Sequence, residues 1–239
     1  MCLLGDIDGD KVAIKLITPS AKRKNRRIIE EAEKEIQFLE MLENSPNVVK
    51  LIRSEIKDSS AAIVLEYCIS SLQGWMNKEK VLGGDIPSEK VIDDFVPFFS
   101  GAIRQMRVKN IVHIDLKPGN ILRCDGVWKV ADFGLAVEIN DGQQIRVSPK
   151  GTPNYTDPEL LETGIANSRT DLYSVGSILY ELVTGETYDE QLDLNLDKDE
   201  PVYLDEDVDD GLAFFIDTLL KRKFKSFEDF YNKISVYTF

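Results

Sequence analysis

Between the apolar flanks of IVHIDLKPGNIL, residues 111–122, stand an acid, a base and an amide: Asp115, Lys117 and Asn120. A carboxylate, an ammonium and a carboxamide in one loop can orient a hydroxyl, hold a phosphate and ligate a hard cation. Two further islands stand on either side. VAIK, residues 12–15, carries Lys15 on a strand-like run, and DFG, residues 132–134, carries Asp132 into a glycine turn after another strand. Each is weak alone, since any buried strand can contain VAIK. Together and in this order they supply the parts of phosphoryl transfer: a lysine for nucleotide phosphates, an acid to orient the attacking hydroxyl, and an Asp with an Asn for bridging metal ions.

The elements that position these groups follow from periodicity. KVAIKLI (11–17) reads as a strand, and the Asp-Gly step of DIDGD before it reads as a hairpin turn. An EF-hand loop is excluded there, because Gly9 falls at position four and position twelve is Ile17. Residues 25–43 read as a helix whose inner face carries Ile28, Ala32, Leu39 and Leu42. Glu35 shares that face, while Glu30 lies on the wet one. A carboxylate aimed into an apolar seam needs a cation or a raised pKa, so a lysine is expected opposite Glu35. VVKLIRSEI (48–56) and AAIVLEY (61–67) read as strands, and helical patterns follow around 71–79, 88–109, 168–184, 208–221 and 226–236. The acidic run from Asp193 to Asp210 reads as a solvated loop.

Composition bounds the function classes. The chain has 239 residues, 43% of them hydrophobic, and a formal charge of −13. Such a charge argues against direct nucleic-acid binding, and the basic cluster Lys22 to Arg27 reads as the coat of a helix start. No apolar run is long enough to span a membrane and no signal peptide is evident, which places the expectation in the cytoplasm or nucleus. The cysteines Cys2, Cys68 and Cys124 are odd in number and form no C-x-x-C pair, so they read as reduced thiols.

Taken together, these motifs resemble the eukaryotic protein kinase family over nearly the whole chain. The resemblance implies an α+β bilobal fold, with residues 1–67 as a small mixed N-lobe and 68–239 as a larger helical C-lobe. It implies an ATP- and Mg2+-dependent transferase acting on protein hydroxyls. Lys15 would pair with Glu35 and reach the phosphates, Asp115 would be the catalytic base, Lys117 a phosphate contact, and Asn120 and Asp132 the magnesium ligands. In VLEYC, Leu65 is similar to a gatekeeper, and the backbones of Glu66 and Cys68 would meet adenine. Leu39, Leu51, His113 and Phe133 fall where the family stacks an apolar spine. GTPNYTDPE (151–159) looks like the substrate-binding end of the activation segment, with Asp157 where the family usually has Ala, and Asp171 matches the aspartate that braces the catalytic loop. Lys117 with Thr152 resembles the serine/threonine branch. HIDLKPGNIL, DGVWKVADFGLA and GTPNYTDPE look most similar to the monopolar spindle kinases, which implies a cell-cycle or checkpoint role.

Three departures set further expectations. Ile114 stands where most of the family has an arginine that pairs with a phosphate on the activation segment, so activity should depend little on that pairing. Ser148 could still be phosphorylated and read by Arg26, Arg27 or another basic residue. The tail lacks the late arginine that pairs with the glutamate matching Glu159, leaving Arg222 or a nearby lysine for that role. Only Gly5 and Gly9 precede Lys15, so the first strand and glycine-rich loop are absent from the sequence, and a regulatory partner could cover the sheet edge. The rival to an enzyme acting on protein substrates is a pseudokinase or nucleotide-binding scaffold. The complete set Lys15, Glu35, Asp115, Asn120 and Asp132 favours the enzyme.

Overall fold

The computed structural model describes residues 1–18, 25–57, 60–83, 86–148, 151–188, 201–224 and 227–234. The side chains of Arg26 and Arg27, and residues 193–200 of the acidic run, lie outside the described residues.

The N-terminal part is a sheet with one helix packed on it. Strands β1 (Cys2–Ile7), β2 (Asp10–Ile17), β3 (Leu51–Lys57) and β4 (Ser60–Glu66) form an antiparallel sheet in the order β1-β2-β4-β3. The β1–β2 turn is the Asp-Gly hairpin, with Asp8 at φ 55° and Gly9 at φ 94°. Positive φ at both central residues matches the right-handed twist of the strands it joins. Helix α1 (Asn25–Met41) turns Ile28, Ala32, Phe38 and Leu39 onto the sheet, and all four are buried. The expected helical face is therefore the observed one, and Glu35, 2% exposed, lies within it.

The C-terminal part is mostly helical. After β5 (Ser70–Ser71) come α2 (Leu72–Val81), the short turn α3 (Ser88–Lys90) and α4 (Val96–Val108). Residues 88–108 are not the continuous α-helix that the apolar pattern predicts. A π turn at Val91–Phe95 interrupts it ahead of Pro97, whose nitrogen carries no hydrogen to donate to the carbonyl four residues before it. Short strands β6 (Ile111–Val112), β7 (Ile121–Cys124), β8 (Val127–Val130), β9 (Val137–Glu138), β10 (Gln144–Arg146) and β11 (Ile165–Asn167) frame the loops that carry the motifs. Helices α5 (Pro158–Thr163), α6 (Thr170–Thr184), α7 (Asp210–Leu220) and α8 (Phe227–Ile234) complete the order. Helix α6 is buried nearly all round, polar residues such as Asp171, Ser174, Ser177 and Glu181 included, and forms the centre of this part. At Gly176 on α6 the helix α7 packs tightly: an added Cβ would lie 2.8 Å from Leu219 Cβ.

One expectation from composition is overturned here. Cys68 and Cys124 form a disulfide, and Cys2 is the free, exposed cysteine. The two are 56 residues apart, so spacing gives no hint of the pairing. Strand pairing makes the meeting: Ser70 and Ser71 lie opposite Arg123 and Leu122, and Ile69 N–H donates to Arg123 C=O at 2.9 Å.

Candidate active site

Lys15 is the meeting point of the two parts. Its Nζ donates to Glu35 Oε1 and Oε2 at 2.7 and 2.8 Å, and to Asp132 Oδ1 at 2.7 Å. The inward face of α1 thus finds the cation that its sequence requires. An added Cβ on Gly134 would lie 3.4 Å from Asp132 Oδ1 and 3.6 Å from Glu35 Oε2, so this turn closes directly over the ion cluster. Asp132 itself holds φ 66°, ψ 69°, a left-handed conformation that swings its carboxylate toward Lys15.

The three charged groups pull one another's titration. Burial opposes the charge on Lys15, but the Glu35 and Asp132 carboxylates outweigh it and hold the ammonium above its ordinary 10.5. Burial raises Glu35 above 4.5 despite Lys15. Burial would also raise Asp132, but the charge and hydrogen bond of Lys15 prevail and hold it below 3.8. The folded state therefore binds fewer protons at Asp132 than the unfolded chain does. Stability from this group is present above 3.8 and declines as pH falls through the lower folded value. Glu35 has the opposite sign, its contribution declining as pH rises from 4.5 through the folded value. Asp132→Asn should flatten the fall of unfolding free energy below pH 3.8, a change that denaturant titration at several acid pH values measures.

The loop 113–120 is shaped by a buried acid beneath it. Asp171, at the start of α6, accepts His113 N–H at 2.7 Å on Oδ2 and Ile114 N–H at 2.9 Å on Oδ1. Two successive N–H groups converge on this one carboxylate, and the backbone turns left-handed directly after them, with Ile114 at φ 74°. Burial pushes Asp171 above the ordinary carboxylate range, and His113 and these two N–H groups oppose that rise. His113 is fully buried, with Nε2 3.0 Å from Ala131 C=O and its ring edge-on to Phe133 at 4.9 Å.

Asp115 leaves this braced loop toward Lys117, Asn120 and Thr152. Lys117 Nζ donates to Asp115 Oδ2 at 2.7 Å and to Thr152 Oγ1 at 2.9 Å, while Thr152 Oγ1 donates to Asp115 Oδ1 at 3.1 Å. Asn120 Nδ2 donates to Asp115 C=O at 2.9 Å, which turns its amide oxygen away as a free acceptor. Ala131 N–H donates to Asn120 C=O at 2.9 Å, setting Asn120 beside Asp132. Lys15 occupies only one oxygen of Asp132, whose side chain is 49% exposed. An amide oxygen and a half-open carboxylate are hard donors of the kind Mg2+ takes when phosphates supply its remaining ligands. Among the described residues no cluster of three or more His, Cys, Asp or Glu side chains forms a metal cage.

The candidate adenine segment is also braced from behind. Glu66 accepts Lys129 Nζ at 2.7 and 2.9 Å and Lys50 N–H at 2.6 Å, so its side chain is turned away for structural use. No motif in the sequence flags Lys129, which the structure places half-buried on β8 between the buried Trp128 and Val130. Leu65 is buried, and Ala13 on β2 and Leu122 on β7 pack partly exposed against the same core.

A profile of the protein kinase domain matches residues 4–225. This chain belongs to the protein kinase family. It is 34% identical over 185 residues to serine/threonine-protein kinase ATG1c of Arabidopsis thaliana, covering 76% of this chain and 24% of that protein. It is 34% identical over 187 residues to nekl-2 of Caenorhabditis elegans (74% and 51%), and 30% identical over 243 residues to unc-51 of the same organism (92% and 28%). The chain thus spans about a quarter to a half of the length of these relatives. The kinase sheet-and-helix fold expected from the motifs is the observed one.

Two features distinguish this kinase domain. First, Arg222 finds Asp157: Nη1 donates to Asp157 Oδ1 at 2.8 Å, although the expected partner was Glu159. Asp157 is 5% exposed and also caps α5 by accepting Glu159 N–H at 2.9 Å, whereas the Glu159 residue is exposed. The family position usually held by alanine thus provides the buried anion here. Tyr155, two residues before it, donates its hydroxyl to Glu181 on α6 at 2.6 Å, and burial with this bond pushes the phenol above its ordinary value of 10.0. Asp157→Ala removes the cap and the ion pair with Arg222, at an expected cost of about 2 kcal/mol in urea unfolding. Asp157→Glu should recover less than half, because the longer side chain cannot cap the same N–H.

Second, Ile114 sits 3% exposed in an apolar cluster with Val112, Val137, Ile139, Leu160 and Ala166. Leu135, Ile145 and Val147 pack onto that cluster, and β10 pairs with β11 over Gln144–Arg146 and Ile165–Asn167. Hydrophobic contact and a two-stranded ladder therefore hold the segment from Leu135 to Val147. Beside it, a groove of about 440 Å³ is lined by Glu31, Lys34, Ile114, Arg146 and Ser148, among others. Ser148→Ala should leave the phosphotransfer rate within about twofold, since the burial around Ile114 does not depend on a phosphate. A collapse of the rate would show that a cation reads that serine.

Proposed function

We propose that this chain transfers the γ-phosphate of ATP to serine and threonine hydroxyls of proteins, with magnesium. The observation that carries the reading is the joint geometry of two clusters. Lys15 is bound by Glu35 and Asp132 at one end, and Asp115, Lys117, Asn120 and Thr152 are hydrogen-bonded into one network at the other. A scaffold that only binds partners has no use for the complete set.

In this reading Asp115 accepts a hydrogen bond from the substrate hydroxyl in place of the one from Thr152, and so aims its oxygen. Lys117, 2.7 Å from Asp115, stabilises charge developing on the transferred phosphoryl group. Lys15 holds the nucleotide phosphates, and Glu35 keeps its ammonium aimed toward them. The backbones of Glu66 and Cys68 meet adenine between Ala13 and Leu122. Asn120 and Asp132 would hold the magnesium, which neutralises charge on the phosphate oxygens when bound. Thr152 lies at the entry for the protein substrate.

Two finer proposals rest on sequence. The likeness of HIDLKPGNIL and GTPNYTDPE to the monopolar spindle kinases supports a cell-cycle role, whereas the relatives above carry other names. The exposure of Leu3 and Leu4 on β1, 44% and 64%, supports strand addition there by a protein partner. No helix among the described residues is long and apolar enough to cross a membrane.

Incubation with labelled ATP, magnesium and a generic basic protein, followed by phosphoamino-acid analysis, tests the reading. Label on serine and threonine is the expected result. Label on tyrosine alone would contradict the assignment of Lys117 and Thr152.

A further inference from the structure

Cys68 and Cys124 tie the strand-to-helix connection to the strand beneath it. Cys68 follows β4 in the segment that the kinase reading assigns to adenine, and Cys124 ends β7, two residues after Leu122. The backbone ladder between Ile69–Ser71 and Leu122–Arg123 brings the two residues together independently of any sulfur chemistry. The two sulfurs differ in access. Cys124 is 1% exposed, whereas Cys68 is half-buried, so a small oxidant reaches Cys68 and not its partner.

We propose that this pair is a reversible oxidation site, closed by hydrogen peroxide, that slows nucleotide exchange in the kinase domain. The chemistry balances in two steps. The Cys68 thiolate attacks a peroxide oxygen; the O–O bond breaks, one water leaves after protonation, and the sulfur, oxidised by two electrons, becomes a sulfenic acid. The Cys124 sulfur then attacks that of Cys68, the S–S bond forms, the S–O bond breaks and a second water leaves. The net change is two thiols and one peroxide giving one disulfide and two waters. A dithiol reductant reverses it.

The effect on nucleotide follows from where the bond lies, and this half of the inference rests on the kinase reading above. Residues 67–69 are the connection between the sheet and the helical part, and nucleotide release requires the two to part. With the bond open, one backbone ladder of short strands restrains that connection. With it closed, a covalent link spans the same gap and the pivot loses freedom. Catalytic groups are untouched, because neither sulfur contacts Lys15, Asp115 or Asp132.

The test uses the full chain, reduced with dithiothreitol or treated with hydrogen peroxide and then blocked with a thiol alkylator. Peptide mapping should show a Cys68–Cys124 cross-link after peroxide, with Cys2 outside it. Release of a fluorescent ADP analogue should slow by about fivefold in the oxidised form and recover on reduction. Cys124→Ala should release ADP at the reduced rate in both states. If that variant fails to fold, the wild-type protein before and after reduction carries the same comparison. Alkylated, unlinked thiols after peroxide, or a cross-link with unchanged release, would overturn the proposal. Failure of both forms to bind nucleotide would instead overturn the kinase reading, while the mapped cross-link is scored separately.

Discussion

Replacing Asp132 by asparagine is expected to cut phosphotransfer by about a thousandfold, roughly 4 kcal/mol of transition-state stabilisation, with the fold intact. The carboxylate is the only anion among the described residues that both touches Lys15 and remains half open, so it alone can serve the ammonium and a cation together. Asparagine keeps the shape and loses the charge. Circular dichroism of the variant should match that of the wild type, and melting should move little, because Asp132 is far less buried than Glu35. Full turnover would remove Asp132 from the site.

Ile114→Ala should be the most damaging single change to stability outside the main core, at about 3 kcal/mol. A β-branched residue at φ 74° is strained, and the loop keeps it only because Asp171 fixes the backbone and five buried apolar neighbours enclose the side chain. Alanine leaves the strain and the cavity and removes the contacts. The segment that carries Val137, Ile145 and Val147 would lose its anchor, so protease sensitivity between residues 137 and 147 should rise along with the drop in urea midpoint. A loss below about 1 kcal/mol would mean that the cluster closes around alanine.

What was legible in the sequence was what periodicity and local chemistry control. Glu35 could be placed on the buried face of its helix because a 3.6-residue repeat fixes which side chains share a face, and a buried acid requires a cation. The hairpin at Asp8-Gly9 was legible because its backbone demands such residues. The disulfide was not, because its two cysteines meet through a ladder of short strands whose register no local pattern encodes. The same holds for Arg222 and Asp157, 65 residues apart, where the family pattern pointed to Glu159 and burial chose Asp157. The π turn at Val91–Phe95 escaped because the apolar repeat on both sides of it stays helical.

The most direct measurement of the central claim is single-turnover transfer from labelled Mg-ATP to a serine-containing basic peptide, comparing the wild type with Asp115→Asn. Asp115 contacts the groups expected to bind substrate and none that hold the sheet, so nucleotide affinity by calorimetry should be unchanged in the variant. The account predicts a measurable wild-type rate that falls by about a hundredfold or more in Asp115→Asn at equal ATP occupancy. A wild-type chain that binds Mg-ATP yet transfers no phosphate, or a variant as fast as the wild type, would contradict it.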